Sequence, residues 1–251
     1  MRFAVASPLG VLVSVVLFAV APAQAQTPDS LETPTAADTV ALPPVSVDPL
    51  TGEVATDPAP TYNSLDARIE RAVYRIEAPP FAFVMRAVNE ASFPAFAAAA
   101  PVAGVVALVG GDSFRPALRI GASEAAALGV VYALKGTLRR PRPYRTMTEI
   151  VPRDRHHIGD DVFDPNSFPS GHAAMSFAVA TSLTLSDGRW AVPALAWATA
   201  TSVSRVWHGV HYPSDVLVGA AIGAGAALGA QALFPSGGGG EASAFRVVVP
   251  F

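Results

Sequence analysis

Between residues 63 and 235 the hydrophobic positions follow helical periods from end to end. Residues 65–77 place Leu65, Ile69, Ala72, Val73 and Ile76 at helical spacing with Arg68, Arg71 and Arg75 among them, which predicts an amphipathic helix. Pro79-Pro80 ends it, because the residue before a proline is pushed out of the α region. A second helical pattern covers 81–91, and 94–111 is an uncharged run of 18 residues. Further patterns cover 120–134, interrupted by Glu124, then 173–186, 190–203 and 216–235, the last being 20 residues without a charge. The expected fold is all-α, an antiparallel bundle of about six helices.

Length and composition place that bundle in a bilayer. Two of the runs are long enough to span one at 1.5 Å per residue, and the others reach that length with flanking residues. Hydrophobic residues make up 51% of the chain and charged residues 15%, although a polar stretch is included in the average. Alanine dominates the helices and buries little per residue, so a soluble bundle is the competing expectation. A net charge of −3 gives no reason to expect a nucleic-acid partner.

Outside the bundle, three segments read differently. Residues 1–25 combine a basic start, an apolar run and Ala23-Gln24-Ala25, which predicts a secretory signal peptide. Residues 26–62 are rich in Pro, Thr, Asp and Ala and bury too little to offset their ordering entropy, so they are expected to be a disordered linker. Residues 236–251 form a Gly-rich flexible tail with a strand-like apolar end. The chain has no cysteine, which excludes disulfides, thiolate metal sites and cysteine nucleophiles.

Counting crossings in an antiparallel bundle brings three polar stretches to one end. The first, after residue 134, runs from Lys135 to Arg142 and Pro143 with Arg139, Arg140 and Arg145 around it. The second is Pro169-Ser170-Gly171-His172, where Ser170 is a credible N-cap and the free N–H groups of a helix start can hold an anion. The third, Ser204 to Asp215, carries Arg205, His211 and Asp215, and the four-residue offset can set the carboxylate one helical turn below the imidazole. Lys135, Arg142 and Arg205 with the Ser170-Gly171 backbone describe a pocket for a tetrahedral oxyanion, phosphate above all. No Asp/Glu cluster has metal-ligand spacing, so no metal or cofactor is expected and the cations would neutralise the phosphoryl charge. The residues alone do not choose between His211 and His172 as nucleophile.

These positions resemble the three signature motifs of the type 2 phosphatidic acid phosphatase family, which shares fold and pocket with vanadium haloperoxidases and bacterial secreted acid phosphatases. Lys135, Arg142 and Pro143 match the first motif, Pro169 to His172 the second, and Ser204, Arg205, His211 and Asp215 the third, so all eleven specified positions agree in order and spacing. The resemblance implies that His211 attacks phosphorus and becomes a phosphohistidine, that Asp215 orients its ring, and that His172 protonates the leaving oxygen and then activates water. It implies that Lys135, Arg142, Ser170, Gly171 and Arg205 bind the phosphoryl oxygens.

The expected function is a metal-independent phosphatase acting on a lipid phosphomonoester or pyrophosphate of the phosphatidic acid, phosphatidylglycerol phosphate or undecaprenyl pyrophosphate type. Its expected location is the bacterial inner membrane with the site facing the periplasm. Alternatives are a vanadate-dependent haloperoxidase, a secreted non-specific acid phosphatase soluble in the periplasm, and a non-catalytic phosphate-binding membrane protein. His208, at an unspecified motif position, and His156 and His157, in a polar loop, are expected to lie outside the chemistry. Trp190, Trp197 and Trp207 fit either an interfacial belt or the core.

Overall fold

Local sequence sets where each helix starts and stops. The computed structural model describes residues 64–153 and 165–235. The expected signal peptide, the whole of the expected linker, the tail, and His156 and His157 lie outside them. Helix α1 (Leu65–Tyr74) is capped by Ser64, whose Oγ accepts the Ala67 N–H at 3.2 Å. Helix α2 (Pro79–Gly110) starts on proline and ends at Gly111 in the left-handed region, φ 69°. Helix α3 (Arg115–Leu138) stops at Arg139, also left-handed at φ 44°, which turns the chain sharply into the short α4 (Pro143–Thr146). Helix α5 (Gly171–Ser186) leads through a single 3₁₀ turn, Gly188–Trp190, to α6 (Ala191–Trp207), and α7 (Pro213–Leu233) follows. Among the described residues there is no strand, only an isolated antiparallel bridge between Pro141 and Asn166.

One sequence expectation is corrected here. The patterns at 81–91 and 94–111 are one helix of 32 residues with Pro94 and Pro101 inside it. Each proline removes a ladder N–H, but Met85, Asn89 and Ser92 are buried before Pro94 and Phe96, Ala103 and Ala107 after it. A break would forfeit packing on both sides and expose more unpaired backbone to an apolar medium, which costs more than the one lost bond. Helix α1 is amphipathic with its apolar stripe turned outward: Leu65 is 70% exposed, whereas Ala67 and Glu70 are buried.

The bundle is a membrane structure. Among the described residues, α2, α3 and α7 are each long and apolar enough to cross a bilayer, one more than the sequence runs suggested. Their outer surfaces present large apolar side chains, among them Phe83, Phe93, Leu108, Leu217 and Leu228. Such a surface is unfavourable in water and suited to lipid. Near the start of α3, Arg119 Nε donates to the Phe234 carbonyl at 2.6 Å and so satisfies the C-cap carbonyl of α7.

Helix α5 occupies the middle, packed against α2, α3, α6 and α7. Alanine makes this possible: Ala173, Ala174, Ala178 and Ala180 are fully buried, and their small side chains let neighbouring backbones approach. The closest approach is to α7, where a Cβ on Gly219 would sit 2.5 Å from the Ser170 carbonyl and one on Gly223 2.0 Å from the Ala174 carbonyl. Serine links α5 to α3, with Ser123 and Ser182 hydroxyls 3.1 Å apart. Trp207 is core rather than belt: it is fully buried, its Nε1 donates to the Ile76 carbonyl at 2.8 Å, and Phe81 meets it edge-on.

Candidate active site

The C-terminal ends of α3 and α6 and the N-terminal ends of α5 and α7 meet at one end of the bundle, as antiparallel crossing requires. Hydrogen bonds tie the three motif segments to one another. Lys135 Nζ donates to the Asn166 carbonyl at 2.5 Å, and the Ser167 N–H donates to the Arg140 carbonyl at 2.8 Å, which joins the first segment to the second. Arg142 donates from Nη1 to the Val210 carbonyl at 3.1 Å, joining the first to the third. The Ser170 N–H reaches the Asp215 carbonyl at 3.0 Å, joining the second to the third.

Helix boundaries decide how the side chains are presented. Arg205 belongs to the last turn of α6, which runs past the predicted end at 203, and is buried with Nη1 2.5 Å from Asn89 Oδ1 of α2. Ser170 is the N-cap of α5, as expected, and accepts the Ala173 N–H. His172 stands in the first turn of α5, partly exposed and edge-on to Phe96, with ring centroids 5.6 Å apart. A Cβ on Gly171 would meet only Val131, at 3.9 Å, so the chain itself leaves the backbone approach there open.

His211 and Asp215 do not lie on one helical turn. His211 precedes α7, and Asp215 is the third residue of that helix; its Oδ2 accepts the Tyr212 N–H at 2.8 Å, reaching back to the N-cap as a helix-start carboxylate does. This bend brings Asp215 Oδ2 to 3.6 Å from His211 Nδ1, longer than a formed hydrogen bond, and leaves Nε2 as the ring nitrogen pointing away from the carboxylate. His211 is buried, and burial lowers its pKa well below the ordinary value. The nearby charges of Arg142, Lys135 and Arg205 push it further in the same direction, with a contribution from His172. The imidazole is therefore neutral at physiological pH. Lys135, Arg142, His172 and Arg205 thus lie close enough to act on this ring, Asp215 lies beside it, and Ser170 is tied to the backbone of Asp215.

His208, by contrast, is committed elsewhere. Its Nδ1 lies 2.6 Å from the Ser204 carbonyl and its ring stands edge-on to Trp207.

Several residues in this region were not singled out by their sequence. Asn89 and Phe96 come from α2, and Asp66 and Glu70 come from α1. Arg140 donates from Nη1 to Asp215 Oδ1 and from Nη2 to Asp66 Oδ2, at 2.7 and 2.6 Å. A signal was present in principle for two of them: Asp66 and Glu70 share one side of a helix.

Glu70 is fully buried, and neither carboxyl oxygen has a hydrogen-bond partner. Burial raises its pKa to about 9, and the negative charges of Asp215 and Asp66 add to the rise. A carboxyl whose folded pKa exceeds its unfolded value of 4.5 costs nothing below that value, and its cost grows as pH rises toward the folded pKa. Glu70→Gln is accordingly expected to stabilise the protein by roughly a few kcal/mol at pH 8, using ~1.4 kcal/mol per pKa unit as an upper scale, and by almost nothing near pH 5. Melting curves of both forms in detergent at the two pH values check this; an equal difference at both would show that ionisation is not the cause.

Comparison with known proteins agrees with this architecture. Residues 116–236 match the family model described as the PAP2 superfamily. The chain is 34% identical over 87 residues to the bacitracin transport permease protein BcrC of Bacillus licheniformis, covering 35% of this chain and 40% of that protein. It is 44% identical over 62 residues to the lipid A 1-phosphatase of Porphyromonas gingivalis, covering 23% of this chain and 14% of that protein. The chain thus aligns with less than half the length of either relative. Among solved structures, the transmembrane PAP2-type phosphatidylglycerolphosphate phosphatase of Bacillus subtilis superposes with a TM-score of 0.52 at 20% identity, covering 67% of this chain and 83% of that one. LpxE of Aquifex aeolicus gives a TM-score of 0.49 at 22% identity, covering 67% and 96%. Residues 116–236, which hold all three motif segments and the helices that carry them, thus match the PAP2 superfamily.

Proposed function

We propose that this protein is a metal-independent phosphatase that hydrolyses a lipid phosphomonoester or pyrophosphate through a phosphohistidine on His211. The observation that carries the reading is the convergence of Lys135, Arg142 and Arg205 on a buried, neutral imidazole backed by Asp215. In the first half-reaction the lone pair of His211 Nε2 forms a bond to phosphorus as the bond to the leaving oxygen breaks, and His172 gives that oxygen its proton. In the second, His172 takes a proton from water, the water oxygen bonds to phosphorus, and the phosphorus–nitrogen bond breaks. The three cations and the N–H groups at the start of α5 stabilise the charge on the equatorial oxygens throughout.

A lipid substrate is favoured by the setting. The site lies at one end of a bundle whose flanks suit a bilayer, and a relative 44% identical over its matched segment is named for action on lipid A. A secretory signal peptide at residues 1–25, as the sequence leads one to expect, would favour the periplasmic face of the inner membrane for the site. The test is phosphate release by detergent-solubilised protein from phosphatidic acid, phosphatidylglycerol phosphate and undecaprenyl pyrophosphate, with p-nitrophenyl phosphate as the soluble comparison and vanadate as inhibitor. Release from at least one lipid in preference to the soluble ester, blocked by vanadate, is the expected result. Preference for the soluble ester would remove the lipid assignment, and vanadate-dependent bromide oxidation without phosphate release would replace the hydrolase with a haloperoxidase.

A further inference from the structure

We infer that Arg140, anchored by Asp66 of α1, is the positioning residue for the Asp215 carboxylate and so fixes the oxygen that faces His211. The inference rests on the hydrolase reading above and extends it to residues outside the eleven motif positions, one of them outside the family-matched segment.

The geometry is a relay of fixed contacts. Arg140 Nη1 donates to Asp215 Oδ1 and to Ser214 Oγ, both at 2.7 Å, while Nη2 donates to Asp66 Oδ2 at 2.6 Å. The guanidinium also lies over the Tyr212 ring, 4.0 Å from its centroid. Asp66 in turn receives the Ser214 N–H at 2.9 Å and the Ser214 hydroxyl at 2.5 Å. Helix α1 is therefore stitched to the first turn of α7 with Arg140 between them. With Oδ1 of Asp215 held by Arg140 and Oδ2 by the Tyr212 N–H, the carboxylate cannot rotate, and Oδ2 stays on the His211 side.

The charges are matched to the same end. Burial works against the charge on Arg140, but Asp215 and Asp66 outweigh it and keep the guanidinium protonated. Burial alone would raise the pKa of Asp66, yet hydrogen bonds from Ser214 and Arg140 hold it below its ordinary range. One planar fork thus serves two carboxylates, a task that a lysine's single ammonium cannot reproduce.

Because Arg140 acts through Asp215 and not on the substrate, its loss should lower kcat and leave KM alone. Removing its charge also leaves Asp215 and Asp66 unbalanced, which favours the protonated imidazole and moves the acid limb of kcat/KM to higher pH. With phosphatidic acid in detergent micelles, Arg140→Gln is expected to lower kcat about 30-fold with KM within about twofold, and to raise the acid limb by roughly half a pH unit or more. Arg140→Lys should keep the wild-type limb, since the charge remains, while recovering only part of kcat. Asp66→Asn should cost about fivefold in kcat, and the double variant with Arg140→Gln should fall within about twofold of Arg140→Gln alone, since both act through one contact. A raised KM with intact kcat, an unmoved limb in Arg140→Gln, or multiplicative losses in the double variant would overturn the assignment. Should Arg140→Gln not accumulate as folded protein, Asp66→Asn with a wild-type kcat would overturn it by itself. His211→Ala in the same assay separates the two readings: persistent phosphate release there defeats the phosphohistidine, whereas its loss beside unaltered Arg140 and Asp66 variants defeats only the relay.

Discussion

His211→Gln is expected to lower phosphate release at least about a thousandfold, the largest catalytic effect of any single substitution here, because it deletes the atom proposed to form the covalent bond to phosphorus. Glutamine keeps a polar side chain of similar reach in a buried position, so a loss of this size would report chemistry and not collapse; an unchanged melting temperature in detergent checks that. His172→Gln should behave differently with p-nitrophenyl phosphate, whose leaving group needs little proton assistance. The first half-reaction would proceed and hydrolysis would stall, so an acid-labile, base-stable phosphoenzyme should accumulate in rapid-quench samples. The pH dependence is also specified. Burial, then Arg142, Lys135 and Arg205, holds the His211 pKa well below 6.5, and the proposed attack requires the neutral ring. Protonation of His211 should therefore not reduce kcat/KM as pH falls through 6.5, and the acid limb should lie lower. A limb centred at the ordinary histidine value, or a His211→Gln enzyme keeping more than about a tenth of the wild-type rate, would remove His211 from the nucleophile's place.

The meeting of the motif segments was legible in the sequence because the proposed phosphate pocket, built from several helix ends, demands particular residue types at fixed offsets within each end. Lys135, Arg142, His172, Arg205 and His211 sit where crossing parity brings them. Boundaries were less legible. Periodicity in an alanine-rich run carries no mark for where lipid ends and headgroups begin, so α3, α6 and α7 each run past their predicted limits and carry Lys135, Arg205 and Asp215 on helical turns. Prolines misled in α2, since their cost in water is not their cost in a helix packed on both sides of the ring. The supporting residues were least legible. Nothing in the local pattern of Asp66 or Asn89 says that the chain will return, 74 and 116 residues later, with Arg140 and Arg205 to meet them. Helix α1 shows why: its apolar stripe invites burial, yet its polar side is the one turned inward, because what it meets there is the charged end of a bundle and not a hydrocarbon core.

Gly223→Val is expected to prevent recovery of folded protein, the largest stability effect in the molecule. A Cβ there would lie 2.0 Å from the Ala174 carbonyl and 2.8 Å from the Ala178 backbone nitrogen, and neither belongs to a side chain that could swing aside. Relief requires α5 and α7 to separate along their contact, where small residues and not bulky ones fill the space. Overpacking in a well-packed core costs about 1–3 kcal/mol when side chains can adjust, and more when only backbone can move. One turn nearer the site, Gly219→Ala should act more subtly. Its Cβ would meet the Ser170 carbonyl at 2.5 Å, on the same turn whose N–H donates to the Asp215 carbonyl. Moving Ser170 by a few tenths of an ångström shifts the helix start that is proposed to hold the phosphoryl oxygens against the nucleophile. Gly219→Ala should therefore fold with a modestly lower melting temperature and lose proportionally more kcat/KM than stability. Size-exclusion profiles and melting curves in detergent, set beside phosphate release, check both variants. A Gly223→Val protein that elutes and melts like wild type would mean that α5 and α7 do not approach this closely, and with that the packing that aligns Ser170 with Asp215 would have to be redrawn.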